Sequence, residues 1–317
     1  MINAYHTEAG ILRRDDTRLA TALWVDLFCP TPEEEAAVEA ALGIDAPTRE
    51  EMEEIEVSSR LYMENGTAYL TAILPANADG DDPVMSPVSF VLTPTHLLTV
   101  RYHAPRVFET FPPRAEKTAQ SLPDAATTLI ALLDAVIDRQ ADILERAGRS
   151  VDRLSHDIFR KNKEKGSDFQ KILEDIGREG DLVSNIRDSL LTLERLIGFL
   201  ANHAAQKGFR RDLRDRVKTL SRDARALSDH AGFLSGKITF LLDATLGMIN
   251  IQQNAIIKIF SVAAVIFLPP TLIASIYGMN FSVMPELSWT WGYPFALGLM
   301  VLFAVLPYRY AKYRKWL

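Results

Sequence analysis

The last quarter of the chain is its most continuously apolar part. One apolar segment runs from about residue 255 to 277 and holds a single charge, Lys258, near its start; a second runs from about 292 to 309 and is uncharged before Arg309. Crossing the hydrocarbon core of a bilayer takes about 20 apolar residues in a helix. Each segment is therefore predicted to span a membrane, and the short loop between them makes a two-helix hairpin.

Upstream of this hairpin, apolar residues recur at alternating steps of three and four. Three such seams lie at residues 130–158, 183–200 and 213–248. This heptad spacing is typical of long helices that pack side by side. Breaks are predicted at residues 161–167 and 206–208, but no proline or other strong breaker separates the third seam from the first apolar segment. We therefore predict one helix from about Arg210 to Tyr277, roughly 100 Å long at about 1.5 Å per residue.

The first 115 or so residues predict a mixed α/β fold. Short apolar runs suited to strands lie at residues 23–28, 57–63, 67–74, 88–92 and 96–102. Asn65-Gly66 joins two of these runs, which is a strong hairpin signal. Thr31-Pro32 and the three glutamates after it indicate a helix start, because Thr caps, Pro suits the first turn and acids favour the positive helix end.

These patterns together predict three segments. They are an α/β N-terminal domain at residues 1–120, a helical region that ends in a stalk helix at 121–253, and a transmembrane hairpin with its loop and basic tail at 254–317.

Composition and charge narrow the classes of function. The chain has 317 residues, 24% of them charged, and a net charge of −6, which argues against nucleic acid as a partner. Its one cysteine, Cys29, excludes an intrachain disulfide and is expected to be a buried thiol in a reducing compartment. Residues 1–16 lack the apolar core of a signal peptide. The nearest approach to a phosphate loop, at residues 232–238, has the wrong spacing, so we expect no ATPase or other enzyme.

The charges flanking the hairpin predict its orientation. Four basic residues follow the second segment between positions 309 and 315, whereas the loop at 280–291 contains no Lys or Arg. Because basic residues mark the cytoplasmic side of a span, both chain termini are expected in the cytoplasm and the loop outside. Aromatic residues, which favour membrane interfaces, lie at both ends of the second segment: Trp289, Trp291, Tyr293, Tyr308, Tyr310, Tyr313 and Trp316.

The first apolar segment also carries polar residues on one face. At about 100° per residue they cluster within roughly a third of the helix circumference: Asn254, Ser261, Thr271 and Ser275. Small hydroxyl residues are also common where membrane helices pack, so the stripe fits either a helix–helix contact or the lining of a pore. Ile257 and Leu268 fall on or near this face and could form constrictions that gate by dewetting. Two spans cannot enclose a water-filled path, so a pore requires several copies in a closed ring.

A short turn, Gly278-Met279-Asn280, ends the first segment at its outer side. A ring of Asn amide oxygens can hydrogen-bond the water shell of a cation without stripping it, which suits Mg²⁺ because that ion dehydrates reluctantly. Glu286, the only charged residue in the loop, would concentrate cations at the mouth. The same Gly-x-Asn is equally typical of a helix C-cap.

Several motifs resemble one family. The run YGMNF at 277–281 followed by MPEL at 284–287 resembles the signature of the CorA family of magnesium channels. The further matches are LPPT at 268–271, KIFS at 258–261, the stretch 243–254 and, more loosely, WVDL at 24–27. Ser282-Val283 departs from the pattern, since relatives often carry an acid there; Glu286 is left alone to attract cations.

The resemblance implies a funnel-shaped homopentamer in the inner membrane, with a stalk helix continuous with the pore helix. It implies uptake of hydrated Mg²⁺, with Co²⁺ and Ni²⁺ as poorer substrates, and closure when intracellular Mg²⁺ binds acids between subunits. Mg²⁺ is thus substrate and regulatory ligand, with no other cofactor. The matching positions are Asn280, with Gly278 and Met279, for the selectivity filter, Thr271 and Ser275 for the pore below it, Asn254 for a polar ring at the cytoplasmic end, Ile257 and Leu268 for hydrophobic narrow points, and Asp243 for an acidic ring in the stalk.

Two alternatives stay open at this point. A zinc transporter of the same superfamily would share the hairpin, but zinc prefers His and Cys ligands, and no His or Cys follows Ile251. A non-conducting, membrane-anchored coiled-coil sensor or scaffold would explain the heptads and the hairpin. It would not explain the polar stripe or the outer Asn turn.

Overall fold

A computed structural model describes residues 1–8, 10–80, 82–117, 122–159, 168–206, 209–280 and 284–314. The chain divides into two compact units, Met1–Leu242 and Asp243–Leu317. The predicted helix break at 161–167, most of the one at 206–208, Phe281 of the signature run, Ser282-Val283 and the end of the basic tail at 315–317 lie outside the described residues. The division into three segments remains a prediction.

The N-terminal part of the first unit is built on a seven-stranded sheet. Its strands are β1 (Ile2–Glu8), β2 (Ile11–Arg14), β3 (Trp24–Phe28), β4 (Leu61–Glu64), β5 (Thr67–Ala76), β6 (Val84–Leu92) and β7 (Leu97–Arg101). They lie in the order β2-β1-β3-β7-β6-β5-β4. β3 and β7 pair in parallel at the centre, and the neighbouring pairs are antiparallel. Four of the five predicted strands are confirmed, while β1 and β2 carried no signal that we recognised.

Local signals placed several boundaries correctly. Asn65 and Gly66 both have positive φ, 47° and 87°, as a tight hairpin turn between β4 and β5 requires. The prediction of strand from residue 57 was wrong in its first half, because Val57–Arg60 form a short helix and pairing begins at Leu61. Ser59 there donates its backbone N–H to Glu56 O, a local bond that competes with a strand ladder.

The helices of the first unit follow the predicted pattern. Those beside the sheet are α1 (Pro32–Leu42), α2 (Arg49–Glu53), α3 (Val57–Arg60) and α4 (Val107–Lys117). α1 begins as predicted, since Thr31 accepts a hydrogen bond from the N–H of Glu34 and Glu34 accepts one from the N–H of Thr31. The long helices are α5 (Ala125–Phe159), α6 (Phe169–Gln206) and α7 (Arg211–Tyr277), and α7 matches the predicted helix to within one residue.

Two apolar cores lie on opposite faces of the sheet. The larger one joins β5 and β6 to the heptad residues of α5, α6 and α7, among them Leu133, Leu193 and Leu220. The smaller one lies under α1 and α2 and contains Val38 and Met52. The heptad seams read from the sequence are therefore the buried faces of these helices.

A buried ion pair lies in the middle of the sheet. Arg101 donates from Nε and Nη2 to the two carboxylate oxygens of Asp26 at 3.0 and 2.9 Å, and the two residues are only 6% and 2% exposed. Asn3 and Thr99 donate to the same carboxylate, and Trp24 donates to Thr99. The network therefore ties together β1 and the parallel pair β3–β7.

Cys29 does not lie where we expected. Its side chain is exposed rather than buried. Its backbone has φ 43° and donates to the carbonyl of Arg101, so the residue ends β3 in a left-handed conformation. The apolar run before it predicted burial, but that run ends with the strand, one residue earlier.

Candidate functional site

The second unit is a helical hairpin. Its first helix is the part of α7 from Asp243 to Tyr277, and its second is α8 (Gly292–Tyr313). By length and composition, these two are the described helices able to cross a membrane. Large apolar side chains on them are more than 60% exposed, including Phe267, Leu268 and Val301. An apolar surface of this kind favours a surrounding bilayer over water.

One face of α7 packs against α8. Val262 is 7% exposed, and residues one, two and three turns further along, Ile266, Pro269 and Ile273, are half-buried. The buried positions on α8 are small: Gly292, Ala296 and Ala311. Small residues let membrane helices approach closely, and Ala311 lines the same cleft as Val262.

The polar stripe lies on the other side of α7. Its residues are exposed, as are the two apolar residues predicted to interrupt it: Asn254, Ile257, Ser261, Leu268, Thr271 and Ser275. At about 100° per residue, the centre of this stripe lies roughly 140° around the helix from the face that packs on α8. Its first three members, Asn254, Ile257 and Ser261, also line a cleft that α8 helps to form. The exposed stripe fits either the lining of a pore or a contact with a further helix.

Asp243 belongs to the same side of the helix. It is exposed and precedes Asn254 by 11 residues, which is close to three full turns. An acid and an amide thus follow each other along one face, below the apolar part of α7.

The C-terminal end of α7 lacks the usual glycine cap. Gly278 donates its N–H to Ala274 O at 3.0 Å, and Met279 donates to Ile276 O at 3.2 Å. A left-handed C-cap has a residue with positive φ. In the part of the chain that the structure describes, neither Gly278 nor Asn280 has positive φ. Asn280 is exposed. The interpretation of Gly278-Met279-Asn280 as a left-handed C-cap is therefore disfavoured.

A cleft lies between α7 and α8, and its lining includes three residues of the stripe. Its volume is about 340 Å³. It is lined by Asn254, Ile257, Lys258, Ser261, Val262, Val265, Pro307, Tyr310 and Ala311. The lining of this cleft is mostly apolar.

No group of three or more His, Cys, Asp or Glu residues close enough to hold a metal ion occurs within the described residues. The exposed stripe and Asn280 present neutral oxygens, which suit the waters of a hydrated ion better than they suit a bare transition metal.

The loop between α7 and α8 contains one contact that the sequence did not predict. Glu286 lies in a 3-10 turn, Pro285–Ser288, and its carbonyl oxygen occupies the space that a Cβ on Gly292 would need. The only sequence signal was a glycine at the start of the second apolar segment.

Comparisons with known proteins agree with the hairpin and its motifs. A family model described as CorA-like Mg²⁺ transporter protein matches residues 20–312. The chain is 34% identical to the magnesium transport protein CorA of Salmonella typhimurium and 33% identical to that of Escherichia coli K12, with both chains covered fully in each comparison.

Solved structures share the fold. The complete CorA magnesium transporter of Methanocaldococcus jannaschii superposes with a TM-score of 0.75 at 19% identity, covering 100% of this chain and 99% of that one. The ZntB cytoplasmic domain of Vibrio parahaemolyticus superposes with a TM-score of 0.57 at 11% identity, covering 78% and 97%.

Proposed function

Because the chain belongs to the CorA family of Mg²⁺ transporters, we propose that it forms a channel for potential-driven uptake of hydrated Mg²⁺ across the inner membrane. The observation that carries this proposal is the exposed polar stripe, which runs along one side of α7 towards Asn280. A polar stripe turned towards lipid would be costly. Turned towards water inside a ring of helices, it lines a path for ions.

Several copies complete the pathway. A homopentamer places five copies of α7 around one axis, so each polar residue of the stripe becomes a ring. The α8 helices then lie outside the ring and face lipid with their exposed apolar side chains.

The rings have different tasks. Asn280, with Gly278 and Met279, forms the outer filter, where amide oxygens accept hydrogen bonds from the waters of the ion. Thr271, Ser275 and Ser261 hydrate the path below it, and Asn254 and Asp243 receive ions near the cytoplasm. Ile257 and Leu268 narrow the path with apolar side chains that exclude water when the ring contracts. Glu286 attracts cations outside.

Entry needs no other energy source. A charge crossing the membrane gains about 2.3 kcal/mol per 100 mV, so a divalent ion gains roughly 4.6 kcal/mol when the inside is negative. What the cell has to regulate is therefore closure of the channel once its internal Mg²⁺ is sufficient. We propose that intracellular Mg²⁺ closes the channel by bridging acids of neighbouring subunits, and that Co²⁺ and Ni²⁺ also pass. With four basic residues at positions 309–315, where α8 ends, and none at positions 280–291, both termini lie in the cytoplasm.

The test is Mg²⁺ entry into proteoliposomes under an inside-negative potential, with and without external cobalt(III) hexaammine. This complex has the size of a hydrated divalent ion but cannot shed its ligands. Entry that the complex blocks, and that slows when the liposomes are preloaded with Mg²⁺, supports the proposal. Movement of Zn²⁺ alone under a proton gradient would instead favour a zinc transporter. No flux of either ion would favour the non-conducting scaffold.

Asn280→Ala tests the filter. We expect loss of selective Mg²⁺ uptake, by about tenfold or more, because an interaction with the water shell at every subunit is removed. The oligomer should persist. Asn202→Ala, which changes an exposed asparagine on α6, is the matched control and should transport normally. Selective uptake in Asn280→Ala would remove Asn280 from the filter.

A further inference from the structure

The outer loop is folded back on the start of α8 by backbone contacts. The 3-10 turn at Pro285–Ser288 is held by the Ser288 hydroxyl, which donates to Pro285 O at 2.8 Å. Trp289 donates its N–H to Glu286 O at 3.3 Å, and Gly292 donates to Trp289 O at 2.9 Å. Two turns therefore lead from Glu286 directly into the helix.

Gly292 is the point where these turns close. A Cβ placed on Gly292 would overlap the carbonyl oxygen of Glu286. The φ of Gly292 is not positive, so the position needs glycine for space and not for an unusual backbone conformation. Gly298, six residues further along α8, has open space around the same vector. Gly292 is buried and meets the Glu286 backbone, whereas Gly298 is exposed and meets nothing, so Gly298 serves as the control position.

We propose that Gly292 is a positioning residue for ion capture, holding Glu286 at the outer mouth. The inference rests on the proposed function, in which Glu286 attracts cations. A methyl group at Gly292 meets backbone rather than a flexible side-chain end, so the turn has to move. The Glu286 carboxylate, which is exposed and is the only charge in the loop, then leaves the position from which it focuses Mg²⁺.

Uptake kinetics separate this role from a general structural one. Gly292→Ala should raise the half-saturating external Mg²⁺ concentration by about threefold or more, because the local cation concentration falls, while the maximal rate changes by less than about twofold. Glu286→Gln should produce a similar shift, and the double variant should shift no further. Gly298→Ala should match the wild type. An unchanged half-saturation in Gly292→Ala, or a shift that adds to that of Glu286→Gln, overturns the proposal.

A milder variant and a flux-independent assay cover the remaining outcomes. If Gly292→Ala does not assemble, Ser288→Ala loosens the same turn and must raise the half-saturation; no change there overturns the proposal. If the wild-type protein takes up no Mg²⁺, the proposed function fails and uptake cannot report on Gly292. Thiol labelling then measures the position of the loop independently of flux. In a Cys29→Ser background, Gly292→Ala should change the labelling rate of Glu286→Cys by at least about twofold. An unchanged rate overturns the placement of Glu286 by Gly292.

Discussion

Replacing Asp26 by asparagine should strongly destabilise the N-terminal unit. The substitution keeps the shape of the side chain but removes the negative charge that balances the Arg101 guanidinium. That guanidinium also lies over the rings of Phe28 and Phe108, with its central carbon 4.3 and 4.6 Å from their centroids. It therefore has little access to water once its carboxylate partner is gone.

The expected cost follows from burial. Asp26 and Arg101 are 2% and 6% exposed, and removing one partner of a buried pair costs about 3–5 kcal/mol because the other charge is left uncompensated. Exposed helical pairs contribute only about 0.3–0.5 kcal/mol. Glu53→Gln, which breaks the exposed pair between Arg49 and Glu53, is therefore a control and should change the free energy of unfolding by less than about 1 kcal/mol.

Urea unfolding of the full-length protein measures the effect. Trp24, which donates to Thr99 beside the pair, is the fluorescent reporter once the other tryptophans are replaced by phenylalanine. With a slope of about 2–3 kcal/mol per molar urea, the midpoint should fall by about 1–2 M. In an Arg101→Met background the same Asp26→Asn change should cost less than about 1 kcal/mol. A loss below about 1 kcal/mol in the wild-type background would refute the uncompensated charge as the cause.

Two further predictions concern the pore and the pH dependence of folding. Leu268→Ser should raise Mg²⁺ entry into Mg²⁺-loaded liposomes by about threefold or more, because a wetted ring no longer closes the path. The control variant Leu268→Val should stay closed. Normal closure in Leu268→Ser would remove Leu268 from the gate. Burial lowers the pKa of His103, whose Nε2 contacts Leu74 O, so the unfolded chain binds its proton more readily. The free energy of unfolding should therefore fall as pH drops below about 6.5, and His103→Gln should flatten that fall between pH 7 and 5; an unchanged slope in urea titrations would show that His103 is not the group.

Much of the candidate site follows from periodicity. The offsets of Asn254, Ser261, Thr271 and Ser275 place them on one side of any helix, whatever surrounds it. The length of the two apolar segments predicts the spans, and the long uninterrupted run to Tyr277 predicts a continuous helix, as observed. The tertiary structure added which side of α7 packs on α8. That choice depends on the small residues of α8, such as Ala296 and Ala311, and those lie outside the segment that carries the stripe.

The sequence by itself determined the local features whose causes lie within a few residues. Thr31 and Glu34 cap each other, and Asn65-Gly66 tolerates the positive φ of a tight turn. Other features depended on residues far apart in the chain. Asp26 meets Arg101 across 75 positions, Cys29 becomes exposed because β3 ends before it, and β1 and β2 join the sheet through pairing with a neighbour. Likewise, Gly292 has to be glycine because the carbonyl of Glu286 folds back onto it. Hydrophobic period and capping are properties of a segment, whereas burial, charge pairing and close approach are properties of what the fold brings next to it.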